Sequence, residues 1–175
     1  TGKEADEELM LSIAQSELKI TQEKKSVFLS GFMGTGKTTI GKALAKKLAI
    51  SFVDCDVLIE QKAGKTINKI FIEDGEDEFR AIEQEVVHLA SKKNAVVALG
   101  GGAILNYLTA LRLKNSGKII LLTAKPETIL KRLTNYEDRP LLAGLNSRQR
   151  LARINDLIEK RMPYYRSSKD FEFST

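Results

Sequence analysis

Gly31, Gly36, Lys37 and Thr38 stand in the spacing Gly-x-x-x-x-Gly-Lys-Thr, the pattern of a P-loop that cradles phosphate groups. Glycines let successive backbone N–H groups turn inward around an anion, and a helix starting at the loop adds the partial positive charge of its N-terminus. In such a loop Lys37 reaches the β- and γ-phosphates of a nucleotide, and the Thr38 hydroxyl ligates Mg2+. The pattern carries weight only between a strand and a helix, and the flanks supply both. Val27, Phe28 and Leu29 form a buried strand, and Ile40, Ala43, Leu44 and Leu48 recur at helical spacing behind the loop.

A second chemical group is Asp54-Cys55-Asp56, which follows the apolar run at 50–53. Residues at the carboxyl end of a strand in an α/β sheet face the ligand crevice. An extended backbone points the two carboxylates the same way and Cys55 the other. One acid can hold a metal's water shell while the other meets a substrate hydroxyl, and either can also cap a helix opening over 57–63.

Gly100, Gly101 and Gly102 end another apolar run, 95–99. Three glycines in succession cost backbone entropy and mark a place that something approaches too closely for a Cβ. Arg80 lies beside Phe79 on a helix opened by the acids at 76–78, whose stripe of Phe79, Ile82, Val86, Leu89 and Ala90 is read as buried, so the guanidinium need not be fully exposed. His88, the single histidine, has no partner in view and is read as a packing or surface residue. The segment 134–147 holds Arg139, Pro140 and Gly144 without a clean period. A loop of that length over a phosphate site is a candidate lid.

The elements that position these residues are five short strands, at 27–29, 50–53, 95–99, 118–122 and 171–173. Helical patterns separate them, over 57–63, 65–71, 75–92, from 104, over 126–133 and over 148–161, the last ending at Met162-Pro163. This alternation predicts an α/β fold, a five-stranded parallel sheet flanked by helices on both faces. Before the first strand, acids at 4–8 and the stripe Leu9, Met10, Ile13, Ala14 and Leu18 predict an amphipathic helix over 1–18, followed by a polar linker over 19–25.

Composition narrows the function classes. A chain of 175 residues, 42% hydrophobic and 29% charged, is read as one ordinary globular domain. A single cysteine rules out an internal disulfide and a cysteine zinc site and points to a reducing compartment. There is no apolar run of membrane-spanning length and no secretory core in the first thirty residues, so a cytoplasmic protein without a membrane partner is expected. The net charge of +5 suits ligands that are all anions. Its basic residues are interspersed with acids and not gathered with aromatics, which argues against nucleic acid.

Several stretches together, GFMGTGKTTIG, FVDCD, GEDEFRAIE, LGGGAI, DRPLL and RMPYYR, make residues 26–175 resemble shikimate kinase, a P-loop family of the nucleoside monophosphate kinase type. The resemblance implies a three-layer sandwich that acts as a monomer, with Mg2+ and ATP as cofactors. Its implied reaction is transfer of the γ-phosphoryl group to the 3-hydroxyl of shikimate. Gly34, Thr35, Gly36, Lys37, Thr38 and Thr39 would hold the nucleotide, with Arg132 stacked on adenine. Thr38 and Asp54 would hold Mg2+, the latter through water. Arg80 and Arg161 would clamp the shikimate carboxylate, with Glu83 orienting the arginine and a hydroxyl. Gly101 and Gly102 would let the ring lie on the backbone. Asp56 would accept from the ring hydroxyls and help deprotonate the nucleophile, and Arg139 would swing in with the lid.

Rivals are a gluconate-kinase-like enzyme and a catalytically impaired relative that binds nucleotide or regulates. The arginine pair with the triple glycine disfavours the first, and retention of Lys37, Asp56, Arg80, Arg139 and Arg161 disfavours the second. Compared with the family, the chain has an extra stretch at 1–18 and stops at the strand 171–173. The expectation is a circular permutant in which 1–18 is the family's final helix. An unrelated extension on a shortened kinase is the alternative.

Overall fold

The structure, a computed structural model, describes residues 26–136 and 139–175. The expected helix over 1–18 and the linker over 19–25, and with them the permutation, lie outside the described residues. In chain order the described elements are β1 (Ser26–Ser30), α1 (Lys37–Leu48), β2 (Ser51–Asp54), α2 (Cys55–Ala63), α3 (Ile67–Glu73) and α4 (Gly75–Ala90). There follow β3 (Ala95–Ala98), a 3-10 turn (Ala103–Leu105), α5 (Tyr107–Ser116), β4 (Gly117–Thr123), α6 (Pro126–Arg132), α7 (Ser147–Ser168) and β5 (Phe171–Ser174).

The five strands form one parallel sheet in the order β2-β3-β1-β4-β5. Strands buried on both faces read as continuous apolar runs. The central β1 and β3 are buried along their whole length, whereas the edge strands β2 and β5 keep partly exposed residues. One face carries a core of Phe28, Val97, Ile119 and Leu121 with Phe79 and Val86 of α4, and the other joins Leu29, Ile40, Leu44, Ile120 and Leu122 against α1. A third cluster, Phe32, Ile129, Leu142, Ile154 and Leu157, lies under the segment expected to be a lid. Among the described residues no helix is long and apolar enough to cross a membrane.

Three expectations are revised in detail. The helix expected to end at Met162-Pro163 continues through Pro163 to Ser168. A proline removes one N–H from the ladder, but Tyr165 and Ser168 beyond it are buried, so tertiary packing carries the last turns. The expected inner stripe of α4 is altered too: Leu89 is 50% exposed while Glu83 is only 3% exposed. The helix expected from 104 begins instead as the 3-10 turn, and α5 starts after Asn106, whose side chain accepts from the Thr109 N–H as a cap.

Candidate active site

The carboxyl ends of β1, β2 and β3 meet at one crevice, which the loop between β1 and α1 also lines. Gly31 has φ 136° there, and a Cβ would run into the Leu122 carbonyl of β4, so only glycine fits. Gly36 caps α1 in a left-handed conformation. Thr35 is buried and its hydroxyl donates to the Phe32 carbonyl at 2.8 Å, bracing the loop from beneath. Lys37 Nζ donates to the carbonyls of Gly31 and Phe32 at 2.8 and 2.9 Å. Burial lowers its pKa to about 8, although Asp56 and Asp54 pull the other way. Thr39 is exposed on the first turn of α1.

The Asp-x-Asp stretch is not extended throughout. Asp54 ends β2 and caps α2, its Oδ1 accepting from the Asp56 N–H at 3.1 Å, while its Oδ2 accepts from the Thr38 hydroxyl at 2.8 Å. Asp56 therefore reaches the crevice from the first turn of a helix. Cys55 points into the core, as the alternation predicts, and is fully buried. Burial raises the Asp56 pKa against the opposing charge of Lys37.

At the far end stand the two arginines. Arg80 of α4 donates from Nη1 to Glu83 at 2.7 Å and from Nη2 to Glu76 at 3.0 Å, with its guanidinium 5.0 Å from the Phe79 ring centre. Glu83 Oε1 is buried and has no hydrogen-bond partner among the described residues, and burial raises this carboxyl's pKa although Arg80 opposes the shift. Arg161 of α7 is buried, lies over the Phe32 ring at 5.6 Å and donates to the Gly101 carbonyl at 3.4 Å. The glycine run fits between them. A Cβ on Gly102 would stand 2.5 Å from Arg80 Nη1, which is the close approach the sequence signalled.

Two cavities meet here. One, of about 380 Å3, is bounded by Arg80, Glu83, Gly102 and Arg161 at one end and by Pro140 and Leu141 above, a size suited to a small molecule. The other, of about 210 Å3, lies over Gly34, Gly36, Lys37, Thr38 and Thr39. Asp54, Asp56, Gly101 and Arg139 line both. Arg139 Nε is buried there and has no hydrogen-bond partner among the described residues. The site thus has a lysine-bearing loop, a junction of two aspartates with Arg139, and a far wall of Arg80 and Arg161 with Glu83.

Arg132 is not part of either cavity. Its Nη1 donates to Thr175 Oγ1 at 2.8 Å and more weakly to the Gly34 carbonyl at 3.4 Å, on the outer flank of the loop. His88 lies outside the site on the last turn of α4. Sequence reasoning passed over Tyr165, whose hydroxyl donates to the Gly101 carbonyl at 2.5 Å. The signal was present in RMPYYR, but reading Pro163 as a terminator put Tyr165 beyond the helix.

Comparison with known proteins gives one consistent answer. A family model described as shikimate kinase matches residues 33–175. The curated shikimate kinase of Caldanaerobacter subterraneus subsp. tengcongensis is 46% identical over 143 residues, covering 81% of this chain and 82% of its own. That of Thermodesulfovibrio yellowstonii is 45% identical over 152 residues, covering 86% of each. Among solved structures, the shikimate kinase of Acinetobacter baumannii in complex with shikimate superposes with a TM-score of 0.80 at 38% identity, covering 86% of this chain and 83% of its own.

Proposed function

The chain belongs to the shikimate kinase family, and from that premise we infer that it transfers the γ-phosphoryl group of ATP to the 3-hydroxyl of shikimate, giving shikimate 3-phosphate and ADP. The observation that supports this reading best is the junction of the two cavities at Asp56 and Arg139, with the arginine pair closing the acceptor side. A ring acid needs a cation for its carboxylate at one end and an acceptor for its hydroxyl at the other, and this crevice offers that polarity.

On this reading Arg80 and Arg161 hold the carboxylate by charge-assisted bonds. Glu83, through its bond to Nη1, sets the plane of the Arg80 guanidinium, and its second oxygen faces a ring hydroxyl. Gly101 and Gly102 lie beneath the ring. Asp56 accepts the proton of the attacking hydroxyl as the new O–P bond forms and the bond to the β-phosphate oxygen breaks. Its raised pKa makes it a stronger base than an exposed carboxylate.

Lys37 exchanges its two backbone acceptors for phosphate oxygens, and the N–H groups of residues 34–39 surround the phosphates. Arg139 neutralises charge on the transferring group. Arg132, at the outer flank, faces the base of the nucleotide. Catalysis of this kind is almost wholly positioning and electrostatics.

The donors near the phosphates also fit Mg2+. Thr38 Oγ1 and Asp54 Oδ2 are hard oxygen ligands 2.8 Å apart, and among the described residues no cluster of three or more His, Cys, Asp or Glu could cage a metal alone. A Mg2+ ion with few protein ligands is completed by nucleotide phosphates and water. When bound it neutralises phosphate charge.

The product tests the proposal. After incubation with MgATP and shikimate, the phosphorus resonance is expected to couple to the ring proton at position 3. Coupling to the proton at another position, or no phosphate ester, would contradict it.

A further inference from the structure

We propose that Tyr165 is a positioning residue for the acceptor: its hydroxyl tethers the Gly101 carbonyl and so fixes the glycine wall between the arginine clamp and the phosphate loop. The inference rests on the family reading of Arg161 and the glycine run as the acceptor side.

Gly101 occupies a central place. A Cβ there would lie 3.6 Å from Arg161 Nη1, 3.7 Å from the Gly31 carbonyl and 3.7 Å from the Met33 N–H nitrogen. The residue thus stands between the acceptor's cation and the donor's loop, and any drift of its backbone changes the distance between the two substrates. Three glycines in a row have no side chains with which to resist that drift. The restraint must come from outside the run.

Two donors from α7 reach the same carbonyl, Tyr165 Oη at 2.5 Å and Arg161 Nη1 at 3.4 Å. They differ in what they can do during the reaction. Arg161 is the group that turns to the substrate carboxylate, and its bond to Gly101 is long. Tyr165 is 1% exposed, packed in the core with Phe28, Ile119 and Leu121, and its ring has only two torsions to settle. Burial also raises its pKa, so the phenol stays a donor through the working range. Once Arg161 engages the substrate, the tether that remains on Gly101 is Tyr165.

The continuation of α7 through Pro163 places the tyrosine one turn beyond Arg161. One helix therefore carries both the cation that binds the acceptor and the hydroxyl that holds the wall beside it.

The test is Tyr165→Phe, which keeps the ring and removes the donor. Shikimate affinity by calorimetry and the KM for shikimate are both expected to weaken about tenfold, with the KM for ATP within about twofold of the original. A thermal midpoint lowered alone, with the shikimate KM unchanged, would make the bond a mere anchor of the core and overturn the assignment. So would equal rises in both KM values. Tyr165→Met, a flexible apolar replacement that refills the gap, carries the same prediction if the phenylalanine variant does not fold. Original enzyme that neither binds nor phosphorylates shikimate would overturn the family reading of the acceptor, and this assignment with it.

Discussion

The Thr38 hydroxyl donates to Asp54 Oδ2 over 2.8 Å, joining the helix that follows β1 to the end of β2, although β3 lies between those strands in the sheet. The bond holds two hard oxygens together beside the phosphate loop, where the proposed mechanism places Mg2+. Asp54→Asn is expected to raise the Mg2+ concentration for half-maximal rate about tenfold or more, with the shikimate KM little changed. Titration of rate against Mg2+ reads this directly, and an unchanged requirement would remove Asp54 from the metal's surroundings.

Lys37 is expected to govern the alkaline side of nucleotide binding. Its pKa in the free protein is about 8, so the ammonium loses its proton as pH rises through that value. Bound phosphates favour the charged form, and the KM for ATP should therefore climb above about pH 8. A Lys37→Arg enzyme keeps its charge throughout and should lose this limb, even at a lower overall rate. An identical limb in both enzymes would assign it elsewhere.

Asp56 must be ionised to accept a proton, and burial raises its pKa. The rate should accordingly fall in acid at a pH above the ordinary carboxylate range. Asp56→Asn is expected to lower kcat by about 10²- to 10⁴-fold and to abolish that acid limb in whatever rate remains. Comparison of the two pH profiles decides whether the carboxylate acts on the proton.

The proposed clamp of Arg80 and Arg161 on the acceptor has a steric and an electrostatic test. Arg161→Lys loses the planar fork, and the KM for shikimate is expected to rise about ten- to a hundredfold with the ATP KM near its original value. Gly102→Ala should do much the same from the other side, because its Cβ would stand 2.5 Å from Arg80 Nη1 and push the guanidinium from its place. The chain can fold around that displacement, since the guanidinium is the end of a flexible side chain. The steady-state KM, not the thermal midpoint, is the discriminating readout.

Arg139 lines both cavities with a buried Nε that has no hydrogen-bond partner among the described residues, an arrangement that suits a charge held for the transition state. Arg139→Met is expected to lower kcat by about 10³-fold while substrate affinities change far less. A loss confined to KM would make it a binding residue only.

Much of this arrangement is legible in the sequence because each part rests on local chemistry. The spacing from Gly31 to Thr38 prescribes a phosphate loop, and the unbroken apolar runs at 27–29 and 95–99 read as buried parallel strands. The strand end at Asp54 points to the crevice even though Asp56 arrives there on a helix, because a cap and a strand end share one position. What stays hidden depends on distant partners. Glu83 falls four residues after Phe79 on the buried face of α4, but a carboxylate is tolerated there only beside Arg80, while Leu89 lies off that face. Tyr165 meets Gly101 across 64 residues, behind a proline that ordinarily ends a helix.

Phosphorylation of shikimate in this crevice can be read directly. The most direct measurement is ADP release from MgATP with shikimate, gluconate, AMP or no acceptor, run beside the Asp56→Asn enzyme. Turnover that requires shikimate and is lost in the variant is the predicted result. Turnover with gluconate or AMP in preference to shikimate, or undiminished turnover in the variant, would contradict it.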